Sequence, residues 1–381
     1  MKPLIKWPGG KTSEIRQFQM LIPEYDRYIE PFLGGGALYF HLNPGKAVIN
    51  DISSNLMDFY RMLKNGDEEL KRILNLYDAS FTALKNLCEE HFDELYGLYR
   101  LIKFARQENI DVESLQIHRQ IVLTICNDER VCSELVRDKE EFIQTMLDCV
   151  WDKLTHTADL EAKKPMPEKD LNANIVTGFT SGFYIYFRSI FNYIADGTIV
   201  PTPQYRIANF YFIREYCYGS MFRYNAKGEF NIPYGGLTYN KKEMAPKIER
   251  MYGEDTQRLL RRTEIYGEDF ESLMRRLKLT NRDFLFLDPP YDSDFSEYEG
   301  NSFSRDDQKR LADFLKSTEA QFVLIIKNTQ FIYDLYKDDF RILTFENKYV
   351  YNMRSRNERT AEHLIITNIP EETIPWIREN Y

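Results

Sequence analysis

Two stretches, one toward each end of the chain, alternate short apolar runs with helical periodicity. This alternation constrains the fold more than any other feature. Toward the N-terminus, Tyr28-Ile29-Glu30-Pro31-Phe32 reads as a strand, Ala37 to His41 as a helix start, and Ala47-Val48-Ile49-Asn50-Asp51 as a second strand. Leu56, Phe59, Tyr60 and Leu63 then recur at helical spacing. The same order returns late: Phe284-Leu285-Phe286-Leu287 is a strand, Asp306 to Leu315 a helix, and Phe322-Val323-Leu324-Ile325-Ile326 a strand. Phe331 to Tyr336 follows as a helix and His363-Leu364-Ile365-Ile366-Thr367 as a last strand. Alternating βα units imply a mainly parallel sheet covered on both faces. Between them, Glu68 to Leu154 is almost continuously helical in pattern, and Pro165-Met166-Pro167 marks a linker or loop. The expectation is one α/β domain assembled from residues 1–62 and 243–381, with a large, mainly helical insertion at 63–242.

Composition excludes several classes. The 381 residues are 43% hydrophobic and 29% charged, which suits a globular chain able to bury a core without disulfide or metal staples. No run approaches the ~18 apolar residues of a membrane span, and Met1-Lys2-Pro3-Leu4-Ile5-Lys6 opens no signal peptide. Five cysteines without a CxxC pair suit a reducing cytoplasm, and five scattered histidines give no metal signature. The net charge of −9 opposes phosphate binding at first sight. However, residues 105–171 hold nine basic and fifteen acidic side chains, so most of the excess sits in one segment. Basic clusters remain at Lys2, Lys6 and Lys11 and at Lys348, Arg354, Arg356 and Arg359. The role of the acidic segment, from about Glu108 to Val176, is open between a partner surface, a dimer contact and a solvated decoration, the last being the plainest reading.

Four motifs can carry chemistry. Asp288-Pro289-Pro290-Tyr291 follows directly on a strand, where ligands bind in open α/β sheets. The two prolines fix φ and remove two N–H donors, so a carboxylate and a backbone carbonyl can accept both hydrogens of an exocyclic amine. Tyr291 offers a ring for a base to stack on. The plainer reading is a stiff turn with Asp288 as a helix cap. Glu30-Pro31-Phe32-Leu33-Gly34-Gly35-Gly36 again closes a strand and opens a helix, a place where backbone N–H groups meet ligands. Asp51 then ends the next strand, as a ribose-binding carboxylate does. This is not GxGxxG, so an adenosine-containing cofactor other than a dinucleotide fits better; an ordinary tight turn is the alternative. Lys6-Trp7-Pro8-Gly9-Gly10-Lys11-Thr12 imitates a phosphate loop, but Ile5 stands where its first glycine belongs, which excludes an NTPase. Finally, Tyr218, Arg223 and Tyr224 lead into Asn225-Ala226-Lys227-Gly228, good hairpin-turn chemistry. These residues suit base or phosphate contacts, or equally the core of a subdomain. Arg354 and Arg356 lie in a loop suited to gripping phosphate, or simply to solvent.

In order, these motifs resemble those of the Dam-type (D12 class) DNA N6-adenine methyltransferases. The resemblance extends to Phe222-Arg223-Tyr224-Asn225 through Pro233-Tyr234-Gly235-Gly236 and to Asn301-Ser302-Phe303 before a helix, and stops between about Glu108 and Val176. It implies a Rossmann-like S-adenosylmethionine-dependent fold with an inserted DNA-recognition domain. Catalysis is then carried by Asp288, Pro289, Pro290 and Tyr291. S-adenosylmethionine would lie near Trp7, Gly9, Gly10, Lys11, Glu30, Phe32, Gly34 and Gly36, with Asp51 on its ribose. Asp269 and Phe270, after a short edge strand, would meet its adenine, and Asp288 its reacting end. DNA contacts are implied for Lys6, Tyr218, Arg223, Tyr224, Asn225, Pro233, Arg354 and Arg356. Gly219 stands where the family carries an Asn, and Leu237 where it carries a Tyr. Double-stranded DNA is the implied partner, and a cognate restriction endonuclease is an open one. The same motifs leave open an RNA adenine or cytosine-N4 methyltransferase, or a non-catalytic DNA-binding subunit.

Overall fold

The computed structural model describes residues 1–108, 117–291, 297–298, 301–348 and 360–370. They fall into two compact units, Met1–Gly66 with Met251–Tyr381, and Asp67–Arg250.

The first unit is built on a seven-stranded sheet. Its strands are β1 (Arg27–Glu30), β2 (Ala47–Ile49), β3 (Thr263–Ile265), β4 (Asp283–Leu287), β7 (Gln321–Lys327), β8 (Arg341–Lys348) and β9 (Thr360–Thr367). Two short strands, β5 (Glu297–Tyr298) and β6 (Asn301–Ser302), pair only with each other. The order across the sheet is β3-β2-β1-β4-β7-β9-β8. The five strands from β3 to β7 are parallel, as the βα alternation predicts. The far edge is not: β9 runs antiparallel to both β7 and β8. Sequence reading gave no strand at Arg341–Lys348. The run Arg341-Ile342-Leu343-Thr344-Phe345-Glu346 carries charged residues at both ends, as an edge strand tolerates.

β4 is buried along its whole length because it pairs on both sides and is covered on both faces. Leu285 and Leu287 face a cluster with Ile29, Val48, Leu324 and Ile366, closed by the helices Phe270–Arg276, Arg305–Ser317 and Gln330–Tyr336. Phe284 and Phe286 point the other way, packing against Tyr25, Tyr28 and Phe18. This two-sided burial fixes the sheet so that the carboxyl ends of β1, β2, β3 and β4 lie side by side.

The second unit is helical. Its longest helices, Lys139–Lys163 and Glu168–Ala195, are separated by the Pro165-containing break expected there. They pack so closely that a Cβ on Gly182 would lie 2.7 Å from the Met146 sulfur. The described part of the acidic segment therefore carries its own apolar core. Val122, Ile125, Phe142, Met146, Val150 and Leu154 are all fully buried. The helices are amphipathic, so the charges that dominate the composition sit on the outer face while an apolar stripe builds the core.

Candidate functional site

β1 stops where Pro31 removes a ladder donor, and β2 stops one residue before Asn50. Asn50, almost fully buried, ties three loops together. Its Nδ2 donates to the Pro31 and Glu268 carbonyls, both at 3.0 Å, and its Oδ1 accepts from Glu268 N at 3.0 Å. The loops after β1, β2, β3 and β4, with the Trp7–Lys11 loop, enclose a cavity of about 270 Å³. Trp7, Gly9, Gly10, Lys11, Glu30, Phe32, Gly34, Gly36, Asp51, Asp269, Phe270, Asp288, Pro289, Pro290 and Tyr291 all line it. These are every catalytic and cofactor candidate read from the sequence.

The glycine turn works by close approach. Gly34 has φ +49°, and a Cβ there would lie 2.8 Å from Trp7 Cδ1, so the indole rests on bare backbone. Gly36, at φ +66°, opens the helix Ala37–Leu42. Asp51 pins the turn from below: Oδ2 accepts from Gly34 N at 2.9 Å and Oδ1 from Ser53 N at 3.0 Å. Burial raises the Asp51 pKa, and these N–H donors oppose the rise. Glu30 is almost fully buried, with the Tyr28 hydroxyl donating to Oε2 at 2.8 Å. Burial holds its pKa well above the usual carboxylate range.

At the opposite wall, Lys11 Nζ is buried and fully engaged. It lies 2.8 Å from Asp288 Oδ1, donates to the Tyr291 hydroxyl at 2.8 Å, and donates to the Gly9 carbonyl at 3.0 Å. Asp288 is thus held through one oxygen, and Oδ2 has no hydrogen-bond partner among the described residues. It caps no helix. Burial raises its pKa while Lys11 pulls it back down. The Tyr291 ring meets His363 edge-on at 5.5 Å.

The cavity rim shows the same asymmetry at Asp269. Its Oδ1 caps the helix Phe270–Arg276 by accepting from Glu271 N and Ser272 N, both at 3.1 Å, and also meets Arg310 at 2.8 Å. Its Oδ2 has no such partner among the described residues. Phe32, Phe270 and Phe303 form an aromatic wall with ring centroids 5.3 to 5.6 Å apart.

Among the residues that support this site, Asn50, Gln308 and Arg310 were not singled out in the sequence. Asn50 read only as strand. Gln308, fully buried, donates to the Pro290 carbonyl at 2.9 Å, and Arg310 grips Asp269. The one available signal was Ser304-Arg305-Asp306-Asp307, a capping box that starts their helix.

The remaining candidates lie elsewhere. Lys6 is half-buried and does not line the cavity. Tyr218, Arg223, Tyr224, Asn225 and Pro233 belong to the helical unit. The hairpin forms as expected, with an antiparallel bridge between Tyr224 and Phe230 and Gly228 at φ +79°. Asn225 is spent on the turn, its Oδ1 accepting from Lys227 N at 2.9 Å and Glu229 N at 3.0 Å. Arg223 is exposed and reaches Asn231 Oδ1 at 2.7 Å, while Tyr218 and Pro233 are also exposed. Arg354 and Arg356 lie outside the described residues.

Comparison with known proteins decides the family. The model of the D12 class N6 adenine-specific DNA methyltransferases matches residues 7–141 and 169–351. The chain belongs to that class. It is an enzyme that methylates adenine in DNA, and it needs a methyl donor. The match leaves 142–168 uncovered, a narrower gap than the one expected from about Glu108 to Val176. Type II methyltransferase M.CviBI of Paramecium bursaria Chlorella virus NC1A is 24% identical, over 97% of this chain and 100% of its own. Type II methyltransferase M1.LlaDCHI of Lactococcus lactis subsp. cremoris is also 24% identical, over 97% and 95%. A DNA adenine methylase of Vibrio cholerae is 20% identical, over 83% and 76%. Among the described residues, no helix is long and apolar enough to cross a membrane, and no cluster of His, Cys, Asp and Glu is suited to hold a metal.

Proposed function

We propose that the cavity binds S-adenosylmethionine and that Asp288-Pro289-Pro290-Tyr291 receives an adenine flipped out of the duplex. The observation that carries this reading is the half-anchored carboxylate: Lys11 holds Asp288 Oδ1, and Oδ2 has no hydrogen-bond partner among the described residues at the cavity wall.

The residues present fit the cofactor. A cavity carrying Asp51, Asp269 and Asp288, with Glu30 as a buried hydrogen-bonding carboxyl, suits a ligand with a positive sulfonium and an ammonium group. Bare backbone at Gly34 seats the Trp7 indole, which would form one wall for an adenosyl moiety. Asp51 and Ser53 would meet the ribose, Asp269 the adenine amine, and the Phe32–Phe270 wall the ring. S-adenosylmethionine supplies an electrophilic methyl group on sulfur.

The chain's own residues do the rest. N6 of adenine is a poor nucleophile because its lone pair is delocalised into the ring. Asp288 Oδ2 and the Pro289 carbonyl accept its two N–H groups and favour a pyramidal nitrogen, which frees the lone pair. Two prolines keep both acceptors in place. Asp288 is not a strong base: even with its pKa raised by burial, a carboxylate does not deprotonate neutral N6. The proton becomes acidic only once the nitrogen carries the methyl group, and Oδ2 then takes it. Positioning and electrostatics supply most of the rate. Flipping costs a few kcal/mol of stacking, partly offset by stacking on Tyr291.

The helical unit reads the sequence through Tyr218, Arg223, Tyr224 and Pro233, on a hairpin whose turn Asn225 holds, with Lys6, Arg354 and Arg356 as further DNA contacts. The Type II names of two relatives support a modification role beside a cognate restriction endonuclease, in the cytoplasm. The test is methyl transfer to duplex DNA, single strands and RNA, followed by nucleoside analysis. N6-methyladenine in duplex DNA is expected; N4-methylcytosine, or product only in RNA, overturns the reading. Asp288→Ala is expected to abolish transfer while keeping DNA binding, and full activity in that variant refutes the role of Asp288.

A further inference from the structure

Arg310 lies on the helix Arg305–Ser317, which follows the Asp288 turn in sequence but reaches across to the other rim of the cavity. Its guanidinium uses all three nitrogens on three carboxylates. Nη2 lies 2.8 Å from Asp269 Oδ1, Nε 2.9 Å from Glu271 Oε2, and Nη1 2.8 Å from Asp307 Oδ1. Its Cζ also stands 5.0 Å from the centroid of the Phe270 ring. Asp269 and Asp307 both line the cavity, and Asp269 turns only its Oδ1 toward this clamp and the helix cap. A carboxylate gripped at one oxygen by three donors cannot rotate, so the direction of the other oxygen is set.

We propose that Arg310 is a positioning residue that fixes Asp269 Oδ2 to read the exocyclic amine of the cofactor's purine, and so sets selectivity for an adenine over a 6-oxo base. The inference rests on the assignment of Asp269 to that amine. A 6-oxo purine presents an acceptor where the amine presents a donor, and it meets a carboxylate that cannot turn away. Lysine in place of arginine offers one charged nitrogen and no planar fork, so it cannot hold three carboxylates at once.

The test is calorimetric binding of S-adenosylhomocysteine and its deaminated analogue S-inosylhomocysteine to the full chain and to Arg310→Met, Arg310→Lys and Asp269→Asn. Wild type is expected to prefer the adenosyl ligand about tenfold, the worth of one charge-assisted hydrogen bond. In Arg310→Met the preference is expected to shrink to about twofold, with Arg310→Lys between. In steady state the loss should fall on KM for the cofactor rather than on kcat. Arg282→Met, which removes the arginine paired with Asp26 at the other end of β4, controls for the loss of a surface ion pair and should leave the preference intact. If Asp269→Asn leaves the preference intact, the assignment of Asp269 itself fails. If Asp269→Asn collapses it while both Arg310 variants keep it in folded protein, the role of Arg310 alone is overturned.

Discussion

Lys11 and Asp288, from opposite ends of the chain, form an ion pair of 2.8 Å in which the lysine is buried and also holds the hydroxyl of Tyr291. One ammonium therefore orients both the acceptor proposed for N6 and the ring proposed to stack on the base. Its charge also opposes the effect of burial on the Asp288 carboxyl.

Removing that charge has a defined consequence for pH. Asp288 must be ionised to accept an N–H, and burial already raises its pKa. Lys11→Met removes the opposing charge, so the pKa rises further and the acid limb of kcat against pH moves to higher pH. An unmoved limb in a folded variant contradicts this electrostatic role for Lys11.

Glu30 makes a prediction about stability. Its folded pKa lies well above its ordinary value of 4.5, so the native state holds a proton that the unfolded chain releases. Its favourable contribution is complete below the unfolded pKa and declines as pH rises toward the folded one. Glu30→Gln keeps an acceptor for the Tyr28 hydroxyl and removes the titration. Its melting temperature should gain on wild type as pH rises from the ordinary carboxylate value toward the raised folded one, at the expense of activity. Parallel melting curves across that range would reject the assignment.

Gln308 supports the Asp288 turn from behind through the Pro290 carbonyl. Gln308→Leu leaves that carbonyl without its donor, a loss of about 1–2 kcal/mol in stability. We expect kcat to fall about tenfold and KM for the cofactor to stay within about twofold, because the damage lies at the base end. A loss confined to KM would place Gln308 at the cofactor end instead.

Gly34→Ala combines a left-handed backbone with a Cβ 2.8 Å from the indole of Trp7. The strain costs about 1–2 kcal/mol, and the indole must move. Weaker cofactor binding and a lower melting temperature are expected together, read by calorimetry and thermal melts. Wild-type affinity in the variant would mean that Trp7 does not shape the site.

Legibility in the sequence followed the range of the interactions. β1, β2, β4, β7 and the end of β9 were readable because apolar runs flanked by turn residues report on local structure. Asp288, Gly34 and Asp51 were readable because motifs at strand ends are local as well. β8 was not, since its place depends on pairing with β9. The packing of the acidic segment was not readable because overall charge says nothing about which helical face carries it. Its apolar stripe, not its net charge, decides that it packs.

The amino-acid order alone determined the alternating strands and helices, the rigid Asp288 turn and the glycine bend, since each depends on residues a few positions apart. Tertiary structure alone decided that Lys11 meets Asp288, that Asn50 joins three loops, and that Arg310 clamps Asp269. Those contacts link distant segments through single hydrogen bonds, whose geometry exists only once a sheet has brought its strand ends together.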